Sequence, residues 1–307
     1  MEALDTEQID AEPVFTERRG YFLRFLLRDP FAFLSVCWLL LLFISAIIGP
    51  ELLGDAAIKL NLRARNTPPG SLEKGLLTVL GTDSLGRSMV ARLIVATRNT
   101  LAIALCAAVL SMLLGGVLGL FAGYFGRLPG VIIMRFSDVL QSFPSLLLAV
   151  IVLYILEPRV YNLIIVLAIT RLPVYIRVAR AEVLEIRERL FVDAARVLGS
   201  SRTRILLRHI APVVAPTIMT ILTVDFAFVM LAESGLSFLG IGIQPPSITW
   251  GLMVAQGRNY LTVAWWLSFF PGLMIMLSTL SANILSNWLR MVSDPVQRWR
   301  FEVIRNR

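Results

Sequence analysis

The chain is poor in most of what hydrolytic and redox chemistry draws on. Among 307 residues there is one histidine, His209, and there are two cysteines, Cys37 and Cys106, both inside apolar runs. A lone histidine excludes an HExxH zinc site, a multi-histidine metal cluster and a Ser–His–Asp triad with a base to spare. Cysteines embedded in apolar sequence argue against a structural disulfide. Lysine is almost missing: Lys59 follows Ile58 and Lys74 follows Glu73. Neither stands after the glycine of a G-x-x-x-x-G-K-[ST] phosphate loop. There is no GxSxG elbow, since Gly235-Leu236-Ser237-Phe238-Leu239 lacks the second glycine, and no GxGxxG turn. The reading is of a chain with no catalytic residue, metal or cofactor of its own.

Charge is scarce too. Charged residues make up 16% and hydrophobic residues 57%, with a mean hydropathy of +0.75. Soluble domains hold about a quarter charged residues, so a polytopic membrane protein is expected. The net charge of +8 would suggest nucleic acid in a soluble protein. Here the arginines cluster between apolar runs, as cytoplasmic loops do, so the expected contact is membrane lipid and not nucleic acid. The acidic, polar N-terminus lacks the short apolar core of a cleavable signal, so the first span is expected to be retained.

A bilayer-crossing helix needs about 20 mostly apolar residues. Six segments qualify: 31–49, 100–124, 131–156, 160–178, 213–239 and 263–288. The third carries Asp138 and Pro144, and Arg171 and Pro173 interrupt the fourth. Arg171 is expected to snorkel to the headgroups from its cytoplasmic end. Arg18, Arg19, Arg24 and Arg28 precede the first span, and a basic cluster from Arg177 to Arg208 separates the fourth and fifth. Arg290, Arg298, Arg300, Arg305 and Arg307 close the chain. The positive-inside rule then puts both ends in the cytoplasm. The expected fold class is an all-α polytopic membrane protein with six transmembrane helices. Its expected parts are a cytoplasmic segment (1–30), a first helix (31–49), an extracytoplasmic loop (50–99), a core (100–290) and a cytoplasmic tail (291–307). The loop breaks the charge rule with Lys59, Arg63, Arg65 and others, but the rule weakens over long loops. Within it, residues 86–98 are predicted as a short surface helix with Met89, Leu93 and Ala96 on its apolar side.

Residues 182–216 form a polar, arginine-rich island. Residues 180–198 read as one helix carrying a Glu185–Arg189 i,i+4 pair. Gly199 suits a left-handed C′ position, Ser200 or Ser201 a cap, and a second helix, 202–210, is predicted to end near Pro212. Ala194 and Ala195 leave a small surface for a partner's groove. The alternative is an ordinary basic loop held by anionic lipid.

The order Asp193-Ala194-Ala195, Gly199, Ile210-Ala211-Pro212 resembles the EAA loop of ATP-binding-cassette importer permeases, with Asp193 where glutamate is usual. GTDSLGR at 81–87 resembles a GTDxLGRD motif, with Ser88 replacing the last acid. ESGLSFLG at 233–240, then Pro245-Pro246 and Trp250-Gly251, resembles a second motif, and Phe270-Pro271-Gly272-Leu273 a third. Together with Asp294-Pro295, they liken residues 28–297 to permeases of the dipeptide, oligopeptide and nickel type (DppC/OppC-like). The resemblance implies the type I importer permease (MetI-like) fold in a bacterial inner membrane, and transport of peptides or related small solutes. It implies as partners a second homologous permease, two ATPase subunits that bind ATP and Mg, and an extracytoplasmic substrate-binding protein. It places ATPase coupling on Asp193, Ala194, Ala195, Arg196, Gly199, Ser200 and Arg204. It places an extracytoplasmic lip on Pro245, Pro246, Trp250 and Gly251.

Asp225 and Glu233 lie in the fifth span, where an unpaired charge is costly. They line a translocation path or permease interface, or else form structural pairs. Asp138 is within reach of Arg135, three residues away. Gly115, Gly119 and Gly123 recur at four-residue spacing and suit close helix packing. Trp250, Trp265, Trp266, Trp288 and Trp299 suit the membrane interfaces. The rival reading is an ion-coupled secondary transporter with Asp138, Asp225 and Glu233 as a proton relay.

Overall fold

The computed structural model describes residues 25–70 and 75–293. Arg18, Arg19, Arg24, Lys74, Asp294, Pro295, Arg298, Trp299, Arg300, Arg305 and Arg307 lie outside the described residues. The described chain is helical, and one isolated bridge between Thr82 and Ser88 is its only extended pairing.

Helix α1 (Pro30–Ile58) begins at Asp29, whose carboxylate accepts from Phe31 N and Ala32 N at 3.0 and 3.1 Å. It runs well past the segment 31–49. Pro50 removes one donor but does not end the helix. Gly49 lets it lie on its neighbour, since a Cβ there would sit 2.4 Å from Ile94 Cγ2.

Helix α2 (Met89–Tyr124) corrects the reading of residues 86–98 as a separate surface helix. Ser88 caps it, accepting from Ala91 N at 3.2 Å, and no breaker intervenes before Tyr124. Met89, Leu93 and Ala96 are buried in the main core. Ser88, in place of the acid usual in that motif, thus acts as the helix cap.

The third segment is broken. Helix α3 (Arg127–Gln141) and helix α4 (Ser145–Leu156) meet at 86°. Pro144 forces Phe143 out of helical geometry, and this sets the break. Five helices are long and apolar enough to cross a membrane, or six if the bent pair counts as one span.

Helix α5 (Val160–Ile186) passes through Pro173 without breaking. The predicted helix 180–198 is in fact two: α5 stops at Ile186, and after a turn α6 (Leu190–Val197) begins. Helix α7 (Arg202–Phe238) contains a π-helical turn, Ile205–Ile210, and continues through Pro212. The predicted stop near Pro212 fails because the chain runs on through the π-helical turn, where Ala211 N donates to Leu206 O, and Pro212 follows without a break. Helix α8 (Trp250–Gly257) and helix α9 (Trp266–Ser293) complete the bundle.

The glycine row packs as its spacing implies. Cβ atoms at Gly115, Gly119 and Gly123 would lie 2.6, 2.5 and 2.6 Å from side-chain atoms of Tyr175, Ala179 and Val183 on α5. A main core fills the space between α1, α2, α5, α7, α8 and α9. A second cluster joins Tyr175, Ala179 and Val183 of α5 to Val192 and Ala195 of α6 and Ile205, Leu206 and Ile210 of α7. It fastens the helix–turn–helix to the bundle.

Candidate functional site

The helix–turn–helix is built around Gly199, at φ +77. That left-handed turn lets Gly199 N donate to Arg196 O and Ser200 N to Ala195 O, both at 3.1 Å. Of the two serines it is Ser201 that caps α7, accepting from Arg204 N at 3.3 Å. Helix α6 turns Val192 and Ala195 inward. Ala195 therefore does not share the outer surface with Ala194, as the sequence reading expected. The second cluster needs a small side chain there.

The outward side of α6 and its C-cap carries large apolar side chains beside an ion pair. Leu190, Val197 and Leu198 are 87%, 87% and 85% exposed. They lie beside Asp193 and Arg196, which form an exposed ion pair at 2.6 Å. The expected Glu185–Arg189 pair is present at 2.7 Å.

The intramembrane charges fall into separate networks. Arg171 does not snorkel: its Nε donates to Asp225 Oδ1 at 3.1 Å, Nη2 donates to the same oxygen, and its guanidinium stacks 4.1 Å from the Phe228 ring centre. Asp225 is buried, and the buried Tyr175 hydroxyl faces its carboxylate. Glu233 is also buried, with Oε1 accepting from Ser237 and Thr249 hydroxyls, each at 2.8 Å. Thr249 in turn caps α8 by accepting from Leu252 N at 3.1 Å. Asp138 pairs with Arg177 of α5 at 2.9 Å, not with Arg135. A cross-helix partner displaced the local one. Asp138, Asp225 and Glu233 each have different partners, so the structure does not assemble them into one relay.

Around the start of α2, Asp83 gathers four donors. Leu85 N and Arg87 N reach Oδ1 at 2.9 and 2.8 Å, while Arg87 Nε and Arg92 Nη1 reach Oδ2 at 2.6 and 2.5 Å. Arg92 is buried and spans to Gln256 Oε1 of α8 at 3.0 Å. These groups line a cavity of about 330 Å³ with Tyr260 and Leu267. Sequence reasoning missed this cluster, although its GTD motif was visible, because Gln256 lies far along the chain.

The lip residues separate. Pro245 and Pro246 are exposed and joined by a cis bond. Trp250 and Gly251 are buried. Trp250 Nε1 donates to Leu93 O at 3.0 Å, and a Cβ at Gly251 would meet Ser234 Cα at 2.6 Å. Trp266 is buried as well, donating to Thr82 O at 3.1 Å, and Trp288 packs on Ala32 and Val292. Trp265 alone of these four is exposed, so interfacial anchoring fails for the other three. Their indoles fill cores and, for Trp250 and Trp266, find backbone acceptors.

A bundle of apolar, membrane-length helices with buried charge pairs and a helix–turn–helix fastened to its core defines a class: a multi-pass membrane transport protein. Residues 115–295 match the family described as binding-protein-dependent transport system inner membrane component. The chain belongs to that family, as an all-α protein of the inner membrane. A putative peptide transport system permease protein of Brucella suis biovar 1 is 39% identical over 257 residues, 84% of this chain and 85% of its own. The di/tripeptide permease DppC of Pseudomonas aeruginosa is 40% identical over 230 residues, 75% and 76% of the two chains. The oligopeptide permease OppC of Mycobacterium bovis is 34% identical over 290 residues, 92% and 97% of the two. A structure of the MetNI methionine ABC transporter in inward-facing conformations is similar at a TM-score of 0.48 and 15% identity, covering 62% of this chain and 93% of that one.

Proposed function

We propose that this chain is one of two permease subunits of an ATP-binding-cassette importer for short peptides. The observation that carries the reading is α6, a short helix pinned to the core by Val192 and Ala195 that offers Leu190, Val197 and Leu198 outward. Apolar side chains exposed on a helix beside a fixed turn are what a partner's groove takes up. One ATPase subunit docks there and a second on the partner permease, each binding ATP and Mg, for which this sequence has no phosphate loop. An extracytoplasmic binding protein delivers the solute. Relatives described as dipeptide, di/tripeptide and oligopeptide permeases support peptides as the solute class. ATP-driven closure of the ATPases moves the coupling loop, and the path between the permeases switches between two states.

The test is capture of the tagged chain from native membranes beside a Leu190→Asp/Val197→Asp variant. Wild type is expected to bring down an ATPase and a second permease. The variant is expected to keep the permease and lose the ATPase. Wild type purifying without an ATPase would sink the reading.

A further inference from the structure

Arg171 lies near the middle of α5, and Asp225 near the middle of the apolar stretch of α7. A mid-membrane arginine facing lipid costs about 2.5–3.5 kcal/mol even on the most lenient scale. The ion pair is not symmetric: the Arg171 side chain is 19% exposed and that of Asp225 1%. The cation is the more open partner, and its guanidinium lies over Phe228, on a face of α7 where Val213, Val224, Phe228 and Leu231 are exposed at helical spacing. Thr220 stands on the same row. Phe228 supports the guanidinium from below.

We propose that Arg171 stands in the wall of the aqueous translocation path, halfway across the membrane, as a station for an anionic group of the passing solute. Asp225 is its buried counterion. Two guanidinium nitrogens serve Asp225, which leaves Nη1 to serve a ligand. The fitting chemistry is a carboxylate, which a guanidinium binds with charge-assisted hydrogen bonds. Asp225 holds the guanidinium in place when no solute is present. The inference rests on the permease reading.

The test reads the local potential directly and needs no identified solute. Val224→Cys is made in a background carrying Cys37→Ser and Cys106→Ser, and the whole complex is captured in membranes. Its reaction rates with a negatively and a positively charged water-soluble methanethiosulfonate are then compared. The anionic reagent is expected to be favoured. Arg171→Gln is expected to lower the anion-to-cation rate ratio severalfold, because it removes a unit charge from the same face of the path. Arg171→Lys keeps the charge and is expected to keep most of the ratio. Leu40→Cys, on the exposed face of α1, is the lipid-facing control and is expected to stay unreactive. If the complex assembles but Val224→Cys is inert to both reagents, or the ratio ignores Arg171→Gln, the inference is overturned and the permease reading stands. If no ATPase is captured, the permease reading itself fails.

Discussion

Substituting Gly119 by alanine puts a single methyl into the close contact between α2 and α5. The added Cβ would lie 2.5 Å from Ala179 Cβ and 2.7 Å from the Ile176 carbonyl oxygen. Ordinary carbon contacts lie at about 3.5–4.0 Å, so the helices must part by about 1 Å. Overpacking of this kind costs about 1–3 kcal/mol. Helix propensity favours alanine by up to about 1 kcal/mol and offsets part of that. Gly116 is the built-in control. It shares the helix, but its Cβ would meet only Ile218 Cδ1, at 3.5 Å. Gly116→Ala is expected to be neutral or slightly stabilising. The assay is thermal unfolding of the purified complex, in which Gly119→Ala is expected to lower Tm on the order of 5 °C. Adding Ala179→Gly relieves the 2.5 Å contact but not the one with the Ile176 carbonyl. The double variant is therefore expected to recover only part of the loss. Equal Tm values for Gly119→Ala and Gly116→Ala would refute the close-packing argument.

Glu233→Ala removes the acceptor of two buried hydroxyl donors, at about 1–3 kcal/mol each, and loosens the Thr249 cap of α8. Hydrogen exchange over 249–257 is expected to accelerate, with Glu233→Gln affected less because it keeps an acceptor. Asp83→Ala leaves the Arg92 charge buried without its counterion, at about 3–5 kcal/mol. Membrane levels of the chain are expected to fall, and Arg92→Met in the same chain to restore part of them. Asp193→Ala breaks an exposed pair worth about 0.5 kcal/mol or less, so Tm is expected to hold. A loss of ATPase capture at unchanged Tm would mark Asp193 as a direct contact.

Local signals in the sequence were reliable where the structure is decided locally. Apolar runs located the membrane-length helices, the glycine row announced a close helix contact but not its partner, and Gly199 marked the turn before α7. Misreadings came where the deciding partner is distant. Met89, Leu93 and Ala96 gave residues 86–98 the apolar side of a surface helix, but all three are buried at the start of α2. Arg92 is in fact neutralised by Asp83 and bonded to Gln256, while Asn99 donates to Ile248 O at 2.9 Å. Arg171 looked like a snorkelling charge because its counterion is 54 residues away. Asp138 was assigned the arginine one turn off instead of one 39 residues on. An indole is equally at home in an interface or a core, and only the acceptor at Leu93 decides for Trp250.

Helix α7 has one mechanical consequence. It carries the Ser201 cap of the helix–turn–helix at one end and Glu233, clamped to Thr249, toward the other. Its 37 residues, at 1.5 Å each, make a rod about 55 Å long. Tilting such a rod by about 10° around its midpoint moves each end by roughly 5 Å, and in opposite directions. A push at Arg202 therefore arrives at the far end as a pull, with no bond in the middle broken. The π-helical turn at Ile205–Ile210 is placed like the flexible joint at the handle of a lever.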